Sequence, residues 1–218
     1  MNATDRAIAI TRRLCSAYPD RRPLLVYGSP FELLIGVILS AQTTDAQVNL
    51  VTPELFRRYP APADLARAEP DDVEPIVRST GFYRNKTKSV IGAARVIHER
   101  HADRVPGTME ELVAIPGVGR KSANVILGVV HGQPAIVVDT HLMRVTNRLG
   151  FVIGRNPDKI ERELREIVPA DHQTDFSMAV NRHGRARCFA RKPDCPGCEV
   201  RDLCPWPDLP QDGVEIGE

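Results

Sequence analysis

The chain has 218 residues, enough for one large domain or two small ones, and its 42% apolar content suffices for a real core. Lys and Arg number 29 against 28 Asp and Glu, so the net charge of +1 neither signals nor excludes a polyanionic partner, and any basic surface must come from uneven distribution. Asp5, Arg6, Arg12 and Arg13 interrupt the apolar residues at the N-terminus, and the longest apolar run, 33–39, is too short to span a bilayer; the chain is expected to be soluble and intracellular, without a secretory leader or membrane anchor.

Residues 4–18 place Ala7, Ile8, Ile10, Leu14 and Ala17 at near-helical spacing, which predicts an amphipathic helix closed by Pro19, with Cys15 on its apolar face. Ser29-Pro30-Phe31-Glu32 is a capping-box pattern with proline at the first helical position, opening a very apolar helix over 31–41 at the centre of a bundle. A polar turn, Gln42-Thr43-Thr44-Asp45, precedes a helix over 46–59, and short proline-bounded helices follow within 60–70 and over 71–79. Gly81-Phe82-Tyr83 breaks the chain before a longer helix to about His101, and Thr108 with Glu111 forms a second capping box. Beyond Gly132, residues 135–138 read as a short isolated extended run. Asp139-Thr140 caps a helix ending near Gly150, and two more helices cover 157–168 and 171–184. No convincing alternating strand occurs, so the protein is expected to be all-α with short loops.

The stretch 112–122, LVAIPGVGRKS, predicts a helix, a tight glycine hairpin and a second helix with Lys121 in its first turn. Gly117 and Gly119 tolerate positive φ and close approach of a ligand, and N–H groups that open a helix have no internal partner, so this corner suits a phosphate. Cys188, Cys195, Cys198 and Cys204 follow C-x6-C-x2-C-x5-C, a spacing that wraps one tetrahedral centre, either zinc or a [4Fe–4S] cube. Arg182, Arg185, Arg187, Arg191 and Lys192 around the first cysteine make the densest basic patch in the chain, either a solvated surface or a loop aimed at phosphates.

The hairpin with its lysine, the aspartate of VVDTH eighteen positions later and the terminal cysteine pattern together resemble the endonuclease III family of helix-hairpin-helix glycosylases, over nearly the whole chain. The resemblance implies a six-helix barrel domain over 23–133, a cluster domain built from 1–22 and 134–208, and a flexible tail over 209–218, with DNA in the cleft between the domains. It implies a structural [4Fe–4S] cluster on the four cysteines. It makes Lys121 the nucleophile and Asp139 the catalytic carboxylate of a bifunctional glycosylase and abasic-site lyase acting on oxidised pyrimidines. A neutral amine is needed to attack the sugar, and a carboxylate to take its proton and to stabilise positive charge on the ring. By position Gln42 matches a residue that enters the gap left by an extruded base and Phe82 an intercalating wedge, where some relatives carry leucine. Gly117, Gly119, Arg187, Arg191 and Lys192 are then DNA contacts, Asp45 and His141 candidate pocket groups, and Arg84, Lys86 and Lys88 candidates to hold the strand beside the wedge.

The expected partner is duplex DNA with damaged bases or abasic sites, and the expected setting a monomer in a prokaryotic cytoplasm, associated with the nucleoid. Two other readings compete: a monofunctional uracil or thymine mismatch glycosylase, which needs Asp139 but no amine, and a non-catalytic DNA-binding repair module, which needs neither.

Overall fold

A computed structural model of the chain describes residues 1–20 and 22–206. The expected C-terminal tail, 209–218, lies outside the described residues. Eleven α-helices and no strand occur among them: α1 (Ala3–Ala17), α2 (Pro30–Leu39), α3 (Asp45–Arg58), α4 (Pro62–Ala66), α5 (Pro70–Val77), α6 (Tyr83–His101), α7 (Met109–Val113), α8 (Arg120–Val129), α9 (Thr140–Arg148), α10 (Pro157–Ile167) and α11 (Gln173–Ala186), with short 3₁₀ turns at Arg78–Thr80, Ala170–His172 and Arg201–Leu203.

Local chemistry starts these helices. Ser29 Oγ accepts from the Glu32 N–H at 3.2 Å, while the Glu32 carboxylate reaches back one residue further than a simple capping box, to the Gly28 N–H at 2.6 Å. Thr108 Oγ1 accepts from the Glu111 N–H and donates to Glu111 Oε2 at 2.7 Å. Thr44, Asp139 and Asn156 cap α3, α9 and α10 in the same way.

The chain forms two compact units, one comprising Pro23–His131 and the other Met1–Arg22 with the chain from Gly132 on. In the first, α2 buries Phe31 and all of 33–39, and packs against α3, α6 and α8. A helix apolar on every side is stable only when surrounded, and each fully buried Leu or Ile contributes about 1.5–3 kcal/mol. Helix α6 packs in turn on α4 and α5, and α7 on α8.

In the second unit α1 presents Ala7, Ile10 and Leu14 to a core shared with Leu142, Val145, Phe176 and Val180. Helix α11 packs on both α1 and α9. A Cβ at Gly184 would lie 3.0 Å from His141 Cβ and 3.2 Å from Val145 Cγ2, so the missing side chain is what lets α11 and α9 approach this closely. Cys15 packs against the same core, as its place on the apolar face of α1 predicts.

Candidate active site and metal centre

The hairpin lies in the Pro23–His131 unit. The Ile115 N–H donates to the Leu112 carbonyl and the Val118 N–H to that of Ile115, tightening the end of α7 into a turn. Gly117 has φ +82°, and a Cβ there would fall 2.8 Å from Ser89 Cβ and 2.9 Å from Ile38 Cγ2. Both its conformation and its surroundings require glycine. Gly119 differs: its φ is −95°, nothing lies within 4 Å of a built Cβ, and as N-cap of α8 it supplies no side-chain acceptor. The first turn of α8 therefore opens without a protein oxygen from its cap, and Lys121 stands exposed on it.

In the same unit Gln42 and Phe82 both occupy left-handed backbone, φ +54° and +48°. Such a conformation costs a non-glycine residue on the order of 1–2 kcal/mol and projects the side chain out of the helix path. Phe82 is 66% exposed, which is unusual for a ring of its size. The two turns are stapled together, because Gln47 Nε2 donates to Ser79 Oγ at 2.8 Å. Lys86 departs from expectation. It is buried, 5% exposed, and its ammonium donates to the Thr80 carbonyl at 2.7 Å, while Thr80 Oγ1 donates to the Val77 carbonyl. Burial lowers the Lys86 pKa. The side chain is used up in holding the turn that presents Phe82 and is not available to a strand beside it; Arg84 and Lys88 remain exposed. Asp45 opens α3, behind the Thr44 cap.

Asp139 lies in the other unit, at the head of α9. Its Oδ1 accepts from the Leu142 N–H at 2.8 Å, and its Oδ2 accepts from Asn181 Nδ2 of α11. The extended run before it forms no strand. It is held instead by α11 side chains, the Val137 N–H donating to Ser177 Oγ at 2.8 Å and the Ala135 N–H to Thr174 Oγ1 at 3.2 Å. His141 follows on α9 with Arg144 Nη2 3.2 Å from its Nδ1, and burial lowers its pKa.

The four cysteines line one cavity together with Val145, Leu149, Val200 and Trp206. None is in a disulfide. Two arginines of α9, one turn apart and both buried, carry this loop: Arg144 donates to the carbonyls of Gly184 and Cys188, and Arg148 to those of Phe189 and Ala190 and, at 3.3 Å, to Cys188 Sγ. His183 Nε2 lies 3.7 Å from Cys198 Sγ. Burial pushes the Cys198 thiol up to about 11 and raises Cys204 as well, a cost that a coordinating cation offsets. Four cysteines lining one cavity, with an arginine N–H on Cys188 Sγ and His183 Nε2 beside Cys198 Sγ, fit a thiolate-bound metal centre.

Of the basic residues expected on DNA, Lys192 and Arg191 are exposed, Lys192 at φ +53°. Arg187 is committed differently: it pairs with Asp194 and, at 3.0 Å, with Glu199, both inside the cysteine loop. Asn181, Ser177 and Thr174 were not legible as functional residues. The one signal for them is a row of polar side chains at helical spacing on a helix whose other buried positions are largely apolar.

Residues 35–170 match the family described as HhH-GPD superfamily base excision DNA repair protein. The chain is 45% identical to endonuclease III of Synechocystis sp. over 92% of each chain. It is 40% identical to endonuclease III of Escherichia coli (strain K12), over 94% of this chain and 97% of that one. A solved structure of a trapped endonuclease III–DNA covalent intermediate superimposes with a TM-score of 0.86 at 38% identity, covering 94% of this chain and 96% of that one. Fold, length and local motifs thus agree, and the chain belongs to the HhH-GPD superfamily of base excision DNA repair proteins and, within it, to the endonuclease III family.

Proposed function

We propose that Lys121 is the nucleophile and Asp139 the catalytic carboxylate of a bifunctional DNA glycosylase and abasic-site lyase that removes oxidised pyrimidines. The observation that carries this reading is the likeness, over almost the whole chain, to a protein captured as a covalent intermediate on DNA. A covalent bond requires a nucleophile, and Lys121 stands exposed at the open first turn of α8. Its neutral amine bonds to C1′ as the glycosidic bond breaks, the bonding pair leaving with the base, which takes a proton from solvent. The amine proton passes to the Asp139 carboxylate, which also stabilises positive charge developing on the sugar. The C1′–O4′ bond then breaks, its pair leaving with O4′, which takes a proton, and the C1′=N Schiff base that results acidifies C2′. Loss of a proton there expels the 3′ phosphate and cuts the strand.

Gly117 and Gly119 supply a close backbone approach to a phosphate, and Arg191 and Lys192 add charge on the cysteine loop. Phe82 wedges the stack open and Gln42 fills the gap. Asp45 and His141 are the candidate lesion contacts. Cys188, Cys195, Cys198 and Cys204 hold a [4Fe–4S] cluster, whose part is to fold and stiffen the loop that carries the cations. Among the described residues no helix is long and apolar enough to cross a membrane, and the relatives named above are bacterial. The reading places the protein on damaged duplex DNA in a bacterial cytoplasm as a monomer.

Borohydride trapping on a duplex with one abasic site tests the assignment. The wild type forms a covalent complex and Lys121→Ala forms none. Equal trapping by both proteins overturns the role of Lys121, and the absence of a complex with wild type overturns the lyase.

A further inference from the structure

Helix α11 carries Thr174, Ser177, Asn181 and Arg185 at successive spacings of three, four and four, which places them on one face. Each of the first three meets the extended chain that leads into α9. Thr174 Oγ1 accepts from the Ala135 N–H and donates to the Gln133 carbonyl, Ser177 Oγ accepts from the Val137 N–H, and Asn181 Nδ2 donates to Asp139 Oδ2. Residues 135, 137 and 139 thus sit on consecutive rungs of one rail. The orientation of the Asn181 amide is itself determined. Arg185 Nε donates to Asn181 Oδ1 at 3.0 Å, and a guanidinium has only donors, so the amide nitrogen has to face Asp139.

With the Leu142 N–H on Oδ1 and Asn181 on Oδ2, the carboxylate plane of Asp139 is pinned by two donors. A carboxylate has about four lone-pair sites, so the remaining ones point in a fixed direction. We propose that Asn181 is a positioning residue for the reaction, the side chain that holds the Asp139 carboxylate in a single orientation, with Arg185 locking the amide in place. The proposal rests on the reading of Asp139 as the catalytic carboxylate. It extends that reading because a helix N-cap requires only Oδ1.

The test is single-turnover base excision against pH, beside binding to abasic-site duplex. The charged or titratable groups around the carboxylate are His141 and Arg144 on α9 and Arg185 on α11. Asn181→Leu keeps the volume and removes the donor. It is expected to slow excision about tenfold, to move the acid limb of the profile to higher pH because the ionised form loses a donor, and to leave duplex binding unchanged. Asn181→Asp moves the limb further, because two carboxylates then share the site. It is nearly isosteric, so it carries the test if Asn181→Leu folds poorly. Arg185→Ala shifts the limb in the same direction by less. Wild-type rate and limb in both Asn181 variants, with Asp139→Asn inactive, overturns the proposal. So does a slower rate with an unmoved limb and equally weakened duplex binding, which is a merely structural effect. Full excision by Asp139→Asn overturns instead the reading on which the proposal rests.

Discussion

Two glycines two positions apart play different parts. Gly117 sits at φ +82° with Ser89 and Ile38 against the place of a Cβ, whereas Gly119 sits at φ −95° with open space there. Gly117→Ala is therefore expected to destabilise the fold by about 1–3 kcal/mol, read from the denaturant midpoint. Gly119→Ala is expected to unfold within about 0.5–1 kcal/mol of wild type while weakening duplex binding, since its added methyl meets a ligand and not the protein. Equal stability losses in the two variants would show that Gly119 is also needed by the fold. Lys86 teaches a related lesson. A lysine near an exposed wedge reads as a phosphate contact, yet its ammonium lies 2.7 Å from the Thr80 carbonyl and the side chain is buried. Its long apolar stem makes both placements possible, and only packing chooses between them.

The cysteine loop separates charge that builds the element from charge the element displays. Arg187 bridges Asp194 and Glu199 within the loop, whereas Lys192 stands exposed on it. Lys192→Gln should lower the magnitude of the slope of log binding constant against log salt by about 1, with unchanged thermal stability. Arg187→Gln should lower the melting temperature and, if the cysteines hold the proposed cluster, the retained iron, because it takes the guanidinium away from two carboxylates of the loop and leaves Glu199 only Tyr18 and His183. The opposite pattern, a changed salt slope with normal stability for Arg187→Gln, would place that guanidinium on DNA. Helix α9 supports the loop from beneath through Arg144 and Arg148, one turn apart and 8% and 4% exposed. Two arginines on the buried face of an amphipathic helix are costly unless their donors find partners; the carbonyls of 184 and 188–190 take most of these donors, and the Arg148 Nε–H is left without one among the described residues.

Each unit has its own apolar core, and the four cysteines lie in the unit of Met1–Arg22 and the chain from Gly132 on, three of them, Cys188, Cys198 and Cys204, packed against its core. Stripping the metal from the purified protein should increase amide exchange in the cysteine loop and leave α2 and α6 protected. Four iron and four sulfide per chain support the [4Fe–4S] assignment, and zinc without iron removes it. What the sequence determined by itself is what acts over a few residues. The caps at Ser29, Thr108 and Asp139, the all-round apolar α2, the glycine hairpin and the cysteine spacing are local signals, and each corresponds to an element observed. What only the tertiary structure decided spans long separations. The bond from Asn181 to Asp139 joins residues 42 apart, and the bonds from Arg144 and Arg148 to the cysteine loop join residues about as distant. Helical periodicity marks which residues share a face, but the partner of a buried polar group is set by which helices pack together, and no pattern along one chain segment encodes that.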